Sequence, residues 1–215
     1  GLEYFSRETA RLFFGREKEV LDLILHIKTG EARLILFHGY SGVGKSSLLS
    51  AGLVPRLEER YQVFYHRRNK TIGLAAGLKE LRKEAAAADQ PVVYIIDQME
   101  EMFTDKNTVG ERRDFAAGLL SVYLEEPKAT VVLGFRSEFL AKVKEELCDL
   151  SVLEKHGAEQ EIRPLSPEGI VRAVTGVAAD DTLNEMYHLD VEDGLAEQMA
   201  RDLRNYQHAD YVAPI

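Results

Sequence analysis

A glycine-rich segment directly after a short apolar run constrains the fold of this chain more than any other feature. Residues 39–46 match the pattern G-x-x-x-x-G-K-[ST] at every fixed position. The apolar run Leu34–Phe37 precedes them, and a helical pattern begins at about Lys45. This order of strand, loop and helix is the context in which such a loop turns its backbone N–H groups towards phosphate oxygens. We therefore expect phosphate groups to bind at this loop.

The residue types in the loop suit the phosphates of a nucleotide. Glycines let the backbone come close to phosphate oxygens and adopt a positive φ. Lys45 is expected to reach the β- and γ-phosphates, and the Ser46 hydroxyl is expected to bind Mg²⁺. The expected nucleotide contacts are Gly39, Tyr40, Ser41, Gly42, Val43, Gly44, Lys45, Ser46 and Ser47.

Apolar runs alternate with amphipathic stretches along much of the chain. The predicted strands are Arg33–Phe37, Gln62–Tyr65, Val92–Ile96, Thr130–Phe135 and a less apolar fifth run, Gln160–Arg163. The predicted helices between them are Leu74–Glu84, Glu111–Tyr123 and Ser137–Glu146, and Val20, Ile24 and Ile27 form a helical stripe before the first strand. Continuous apolar strands separated by helical periods are typical of a parallel sheet covered on both faces. The predicted fold class is therefore α/β.

The character of the sequence changes at Pro164–Ser166, after which no further strand pattern appears. Two helical patterns follow, at Pro167–Val174 and Val191–Arg204. We predict a nucleotide-binding core with a helical lead-in over residues 1–165 and a partial helical lid over residues 166–215. The abrupt last residues suggest a fragment of a longer protein.

Acidic residues follow the third apolar run. Asp97 ends that run, and ligands bind at the carboxyl ends of the strands in an open α/β sheet. Asp97 is therefore the predicted partner of Mg²⁺, directly or through water. One of Glu100 and Glu101 is expected to orient and deprotonate an attacking water, with Glu101 slightly favoured. The alternative for both residues is an acidic first helical turn.

The fourth apolar run ends in Arg136. A guanidinium group binds phosphate oxygens through two parallel hydrogen bonds, so an arginine at a strand tip suits contact with a γ-phosphate. The alternative interpretation is a surface arginine paired with Glu138.

Composition limits the partners of the chain. Its 27 Lys and Arg against 36 Asp and Glu give a formal net charge of −9, which argues against binding to nucleic-acid phosphates. The six histidines have no zinc-site spacing, and no apolar run approaches the length of a membrane span. A single cysteine, Cys148, suits a reducing compartment, so we expect a cytoplasmic protein without membrane partners.

Taken together, these motifs resemble the NTPase module of the STAND class of P-loop proteins, and within it the bacterial novel-STAND group related to the AAA+ ATPases. Beyond the loop, the resemblance is carried by Phe13–Glu17, Asp97–Phe103 and Leu133–Phe139. It implies a five-stranded parallel sheet flanked by helices, a small helical lid after the last strand, and ATP or ADP with Mg²⁺ as cofactors.

The resemblance also implies roles for individual residues. Phe14, Gly15 and Arg16 would help to close over the adenine, with Phe13 beside them. Arg136 would be the sensor arginine. Pro214, in the lid, would touch the base.

One position departs from the AAA+ pattern. Those relatives commonly have the catalytic glutamate directly after the magnesium aspartate, where this chain has Gln98. Turnover is therefore expected to be slow or to use Glu100 or Glu101. The resemblance implies a switch in a signalling or phage-defence protein that exchanges ADP for ATP and self-associates when activated. Two alternatives stay open: a non-catalytic ADP- or ATP-binding interaction module, and an AAA+ ATPase that acts on DNA.

Overall fold

The structure, a computed structural model, describes residues 5–67, 79, 83, 90–103, 107–125, 129–146 and 157–209. Apart from residues 79 and 83, the predicted helix Leu74–Glu84 lies outside these ranges. Cys148 and Pro214 also lie outside them.

Five parallel strands form one sheet in the order β2-β3-β4-β1-β5. The strands are β1 Leu34–Gly39, β2 Gln62–Arg67, β3 Val92–Asp97, β4 Ala129–Arg136 and β5 Gly157–Glu161. The predicted five-stranded parallel sheet is confirmed, although β5 begins three residues before the predicted Gln160. As an edge strand, β5 pairs only with β1 within the described residues, so its sequence lacks the continuous apolar run of a central strand.

Within the described residues, the α-helices of the lead-in and core include α1 Glu17–Thr29, α2 (residues 45–57), α3 Val109–Glu125 and α4 Leu140–Glu146. The helix α2 follows the glycine-rich loop and consists of Lys45–Ser47, a π-helical stretch Leu48–Leu53, and Val54–Leu57. Short 3₁₀ helices cover Ala10–Leu12, Met99–Phe103 and Ser137–Phe139, so the predicted helix from Ser137 begins as a 3₁₀ turn.

In the described part of the chain after the sheet, three α-helices follow: α5 Pro167–Ala179, α6 Asp181–Tyr187 and α7 Leu195–Ala209. Two of them correspond to predicted patterns, with α7 beginning four residues after the predicted Val191. The sequence interpretation missed α6, because seven residues are too few to show a helical period. Its first turn is capped by Asp180, whose side chain accepts a hydrogen bond from the Leu183 backbone N–H. No helix among the described residues has the length and apolar character needed to cross a membrane.

Side chains of β1 to β4 alternate between two hydrophobic clusters, one on each face of the sheet. On β1, Ile35 and Phe37 join the cluster formed with α1 and α2, whereas Leu34 and Leu36 join the cluster formed with α3 and α4. The core therefore fixes the strand ends, and with them the loops that follow β1, β3 and β4.

The lead-in packs directly on α5. Gly15 has φ +87°, and a Cβ there would lie 2.2 Å from the Gly169 carbonyl oxygen. Beside it, the Phe14 ring covers Gly176, where a Cβ would lie 2.3 Å from Phe14 Cγ. Glycine at these positions therefore lets residues 14–15 lie against α5 at backbone distance.

Candidate functional site

A cleft of about 380 Å³ opens at the carboxyl edge of the sheet. The glycine-rich loop after β1 and the segments that follow β3 and β4 meet there because these three strands are neighbours in the sheet. The cleft is lined by Ser41, Gly42, Gly44, Lys45, Ser46, Ser47, Asp97, Gln98, Glu100 and Arg136. Most of the predicted phosphate, metal and sensor residues are thus brought together.

The loop has the backbone conformation that its glycines permit. Gly42 has φ +77° and Gly44 has φ +99°, a region that side chains other than glycine rarely adopt. A Cβ at Gly39 would lie 2.5 Å from both Ile162 Cγ2 and the Ile162 carbonyl oxygen, so this glycine is required by packing after β5. The loop ends at the N-terminus of α2, where unpaired N–H groups and the helix dipole favour an anion.

Lys45 lies across the loop that carries it. Its Nζ donates hydrogen bonds to the carbonyl oxygens of Gly39, at 2.7 Å, and Tyr40, at 2.8 Å. Burial lowers the pKa of the Lys45 ammonium, while the nearby carboxylates of Glu100 and Asp97 act in the opposite direction. A phosphate entering the cleft therefore meets a cation whose present partners are two neutral carbonyl oxygens.

Asp97 is almost completely buried, with 1% of its surface exposed. Its Oδ2 accepts a hydrogen bond of 2.8 Å from the Tyr65 hydroxyl, and its Oδ1 accepts one of 2.9 Å from the Gln98 backbone N–H. A Cβ at Gly134 of β4 would lie only 3.1 Å from Oδ1, so glycine there makes room for the carboxylate. The carboxylate is thus hydrogen-bonded from β2 and from the residue after β3, and it fits into the space that Gly134 leaves on β4.

The donor set of the cleft fits a magnesium ion. Ser46 and Asp97, which both line it, offer a hydroxyl and a carboxylate, the hard oxygen ligands that Mg²⁺ prefers. No cluster of three or more His, Cys, Asp or Glu side chains that could hold a metal ion is found among the described residues. A nucleotide-bound Mg²⁺ typically takes one or two protein ligands and fills its other positions with phosphate oxygens and water.

Of the two candidate bases, Glu100 lines the cleft and Glu101 is not among the lining residues. The Glu100 Oε1 lies 3.2 Å from Arg136 Nε, and its side chain is 10% exposed. Within the described part of the chain, its buried Oε2 has no hydrogen-bond partner. Burial raises the pKa of Glu100, which the nearby Lys45 and Arg136 partly oppose. Glu100 therefore has the environment of a proton acceptor, although the sequence interpretation leaned towards Glu101.

The sequence interpretation missed two features of the site: the contact of Tyr65 with Asp97 and the backbone conformation of Gln98. Tyr65, on β2, belongs to no motif, and only the pairing of β2 with β3 brings it to Asp97. Gln98 has φ +59°, in the left-handed region, which costs a residue with a side chain about 1–3 kcal/mol. No sequence signal reports such a conformation for glutamine. The strained residue directly follows Asp97 and precedes Glu100 by two positions.

The residues expected near the adenine lie outside the lining of this cleft. Arg16 is buried, and its guanidinium donates to the carbonyl oxygens of Val43 at 2.9 Å and Arg163 at 2.7 Å, and to Glu19 Oε1 at 2.7 Å. Phe14 borders a separate cavity of about 510 Å³ next to α5 and α6. The adenine roles of Phe14, Gly15 and Arg16 stay predictions, as does that of Pro214 beyond the described residues.

The family model described as Novel STAND NTPase 1 matches residues 1–210 of this chain. No curated protein matches the sequence.

Solved structures share the fold. A chain of the HORMA:CdnC:Trip13 complex from E. coli MS115-1 matches with a TM-score of 0.59 and 14% identity, over 93% of this chain and 77% of that one. AMPPCP-bound DnaA from Aquifex aeolicus matches with a TM-score of 0.57 and 15% identity, over 91% of this chain and 59% of that one. The RuvB Holliday junction branch migration motor of Thermotoga maritima matches with a TM-score of 0.52 and 14% identity, over 91% and 58%. The chain thus spans less than two thirds of DnaA and RuvB, and identities this low establish the fold alone.

Proposed function

Because this chain belongs to the novel STAND NTPase family, we propose that it is a slow, Mg²⁺-dependent ATPase switch. Family and fold make it a nucleotide-binding NTPase module. The observation that supports a slow, Mg²⁺-dependent ATPase is that the glycine-rich loop, Asp97, Glu100 and Arg136 line the same cleft. Those groups supply a phosphate cradle, a metal ligand, a proton acceptor and a cation for a terminal phosphate.

In the proposed mechanism, the loop N–H groups and the Lys45 ammonium bind the nucleotide phosphates. Lys45 exchanges its hydrogen bonds to the Gly39 and Tyr40 carbonyls for hydrogen bonds to phosphate oxygens. Ser46 and Asp97 hold Mg²⁺, which when bound supplies positive charge against the charge of the phosphates.

Glu100 is the proposed proton acceptor. A water oxygen bonds to the γ-phosphorus, the bond to the leaving ADP oxygen breaks, and the water proton passes to a Glu100 carboxylate oxygen. The raised pKa of Glu100 makes it a stronger base than an exposed glutamate. Arg136, held 3.2 Å from Glu100, has guanidinium donors for the γ-phosphate oxygens.

The test is nucleotide binding and single-turnover hydrolysis by the purified chain and by Lys45→Ala. Bound nucleotide is first identified by chromatography after denaturation, and ATP affinity is then titrated. Loss of a charged donor worth about 1.5–3 kcal/mol weakens ATP binding by about 10- to 150-fold. Tight ATP binding by Lys45→Ala would contradict the assignment of the loop.

A non-catalytic module that uses ADP or ATP as a structural ligand is the second candidate. It is favoured by Gln98, which has no carboxylate and occupies the position after the metal aspartate. Phosphate release that disappears in Lys45→Ala excludes this candidate. Tight binding with no release over many hours supports it.

An ATPase that acts on DNA is the third candidate, since one neighbour in fold is the replication initiator DnaA bound to AMPPCP and single-stranded DNA. The net charge of −9 argues against it. Binding to DNA at low salt that weakens steeply as salt rises would favour it.

The wider setting of the switch is also part of the proposal. We propose that exchange of ADP for ATP promotes self-association in a cytoplasmic signalling or defence protein, and that Phe14, Gly15, Arg16 and Pro214 help to enclose the base. Molar mass measured by light scattering in ADP and in ATP tests the self-association. An unchanged mass in ATP would contradict it for this chain.

A further inference from the structure

The hydrogen bond from Tyr65 to Asp97 is the contact in the cleft that no sequence motif accounts for. The Tyr65 hydroxyl donates to Asp97 Oδ2 at 2.8 Å. The other oxygen, Oδ1, accepts from the Gln98 backbone N–H at 2.9 Å. Among the described residues, each carboxylate oxygen therefore has one donor, and the two donors lie on different elements.

The sheet register explains how Tyr65 reaches this position. In the parallel pair of β2 and β3, Tyr65 lies opposite Ile95, and Asp97 follows Ile95 by two residues on the same face. Tyr65 and Ile95 both contribute to the cluster packed against α1 and α2. The long tyrosine side chain therefore spans the diagonal to the next residue of that face, with its ring in the core and its hydroxyl on the Asp97 carboxylate.

Within the part of the chain that the structure describes, Oδ2 of Asp97 depends on the Tyr65 hydroxyl for its hydrogen bond. Asp97 is 1% exposed, so water is largely excluded as a substitute donor for Oδ2. On the side of β4, the absence of a Cβ at Gly134 leaves room for Oδ1, and the Leu49 side chain borders the same position. Without the phenol, a buried charged oxygen loses its hydrogen bond, and rotation of the carboxylate becomes the way to recover one.

We propose that Tyr65 is a positioning residue that holds the Asp97 carboxylate in the orientation needed to bind Mg²⁺ beside the nucleotide. The inference rests on the proposed function, since it concerns the same metal ligand. Groups that hydrogen-bond a metal-binding carboxylate typically change metal affinity by about 10- to 100-fold when removed.

The test is Tyr65→Phe, which removes one oxygen and keeps the ring in the core. ATP affinity is measured by calorimetry across a MgCl₂ titration and again in EDTA. We expect the Mg²⁺ concentration at half-effect to rise about 10- to 100-fold, with ATP affinity in EDTA unchanged. An equal loss of affinity in EDTA would overturn the inference, because it would reveal a general structural role.

Tyr61→Phe is the matched control. Tyr61 is also partly buried and packs against the same cluster, but the hydrogen bond to Asp97 Oδ2 found among the described residues comes from Tyr65. We expect its Mg²⁺ titration to match the parent chain. An equal shift in Tyr61→Phe and Tyr65→Phe would overturn the inference.

A double-mutant cycle tests whether Tyr65 acts through Asp97. In an Asp97→Ala background, Tyr65→Phe should leave the remaining Mg²⁺ response unchanged, and an additive loss would contradict the inference. If the ATP affinity of the parent chain does not depend on Mg²⁺, the proposed function and this inference are both contradicted. A parent that responds to Mg²⁺, with Tyr65→Phe identical to it, would overturn the inference alone.

Discussion

At the scale of single residues, several groups in the cleft have a conformation or an environment that costs free energy in the folded chain. Gln98 holds a left-handed backbone, Glu100 carries a buried oxygen with no hydrogen-bond partner among the described residues, and Lys45 is partly desolvated. Strain and unsatisfied polar atoms are expected where a ligand completes the structure. These three residues are therefore where substitution should affect function before it affects folding.

Replacing Glu100 by Gln should separate nucleotide binding from turnover. Glutamine keeps the shape of the side chain but cannot accept a proton, so ATP should still bind while phosphate release falls by about 10²- to 10⁴-fold. Single-turnover release from bound ATP is the measurement, with Glu101→Gln as the control that should retain near-parental release. Loss of release in Glu101→Gln, with Glu100→Gln active, would transfer the role to Glu101.

The pH dependence of release should report the same carboxyl group. Burial raises the pKa of Glu100, so the base becomes ionised, and release becomes fast, only above the range of an ordinary glutamate. By linkage, this group stabilises the fold fully below its unfolded-state pKa, and the stabilisation is lost as pH rises through the raised pKa. A pH–rate profile whose acid limb lies at the ordinary glutamate pKa would argue against Glu100 as the base.

At the scale of elements, the contact between the lead-in and α5 depends on two facing glycines. Gly15 and Gly169 approach so closely that a Cβ on Gly15 would lie 2.2 Å from the Gly169 carbonyl oxygen. The same part of the lead-in is linked to α5 through an ion pair between Arg172 and Glu17, at 3.3 Å. Close backbone contact leaves no room for a gradual adjustment, so added volume must displace an element.

Gly15→Ala should therefore destabilise the chain more than Gly30→Ala. Both glycines have positive φ, +87° and +68°, so each substitution incurs the left-handed penalty of about 1–2 kcal/mol. A Cβ at Gly30 meets nothing within 4 Å, whereas at Gly15 it adds overpacking of about 1–3 kcal/mol. Urea unfolding measures the difference. Equal losses of unfolding free energy in the two variants would show that α5 moves away from the added Cβ at no cost in stability.

The arrangement of the strands also determines which site residues could be predicted from the sequence. The loop, Asp97 and Arg136 each lie within or directly after a contiguous apolar run, so their position at the carboxyl edge followed from the strand pattern. The Tyr65 contact joins residues 32 apart and depends on which strands are neighbours, which periodicity does not encode. The edge strand β5 was displaced by three residues because one-sided pairing relaxes its apolar pattern.

At the scale of the whole molecule, nucleotide binding should increase the free energy of unfolding. A nucleotide that binds only the folded chain stabilises it by about 2.7 kcal/mol at 100 times its Kd. We expect Mg²⁺ with ATP to raise the thermal midpoint of the parent chain, and a much smaller rise in Lys45→Ala, at equal ligand concentration. Equal rises in both chains would indicate binding away from the glycine-rich loop.

The buried Arg16 has a mechanical consequence. Its guanidinium bonds the carbonyl of Val43 in the loop and the carbonyl of Arg163 in the segment that leads to α5. A movement that separates these two carbonyls must break a charged hydrogen bond inside the protein, where water cannot readily replace it. Lysine, with one ammonium on a flexible stem, lacks the planar fork that spans both acceptors. The glycine-rich loop and the segment before α5 are therefore expected to move together rather than independently.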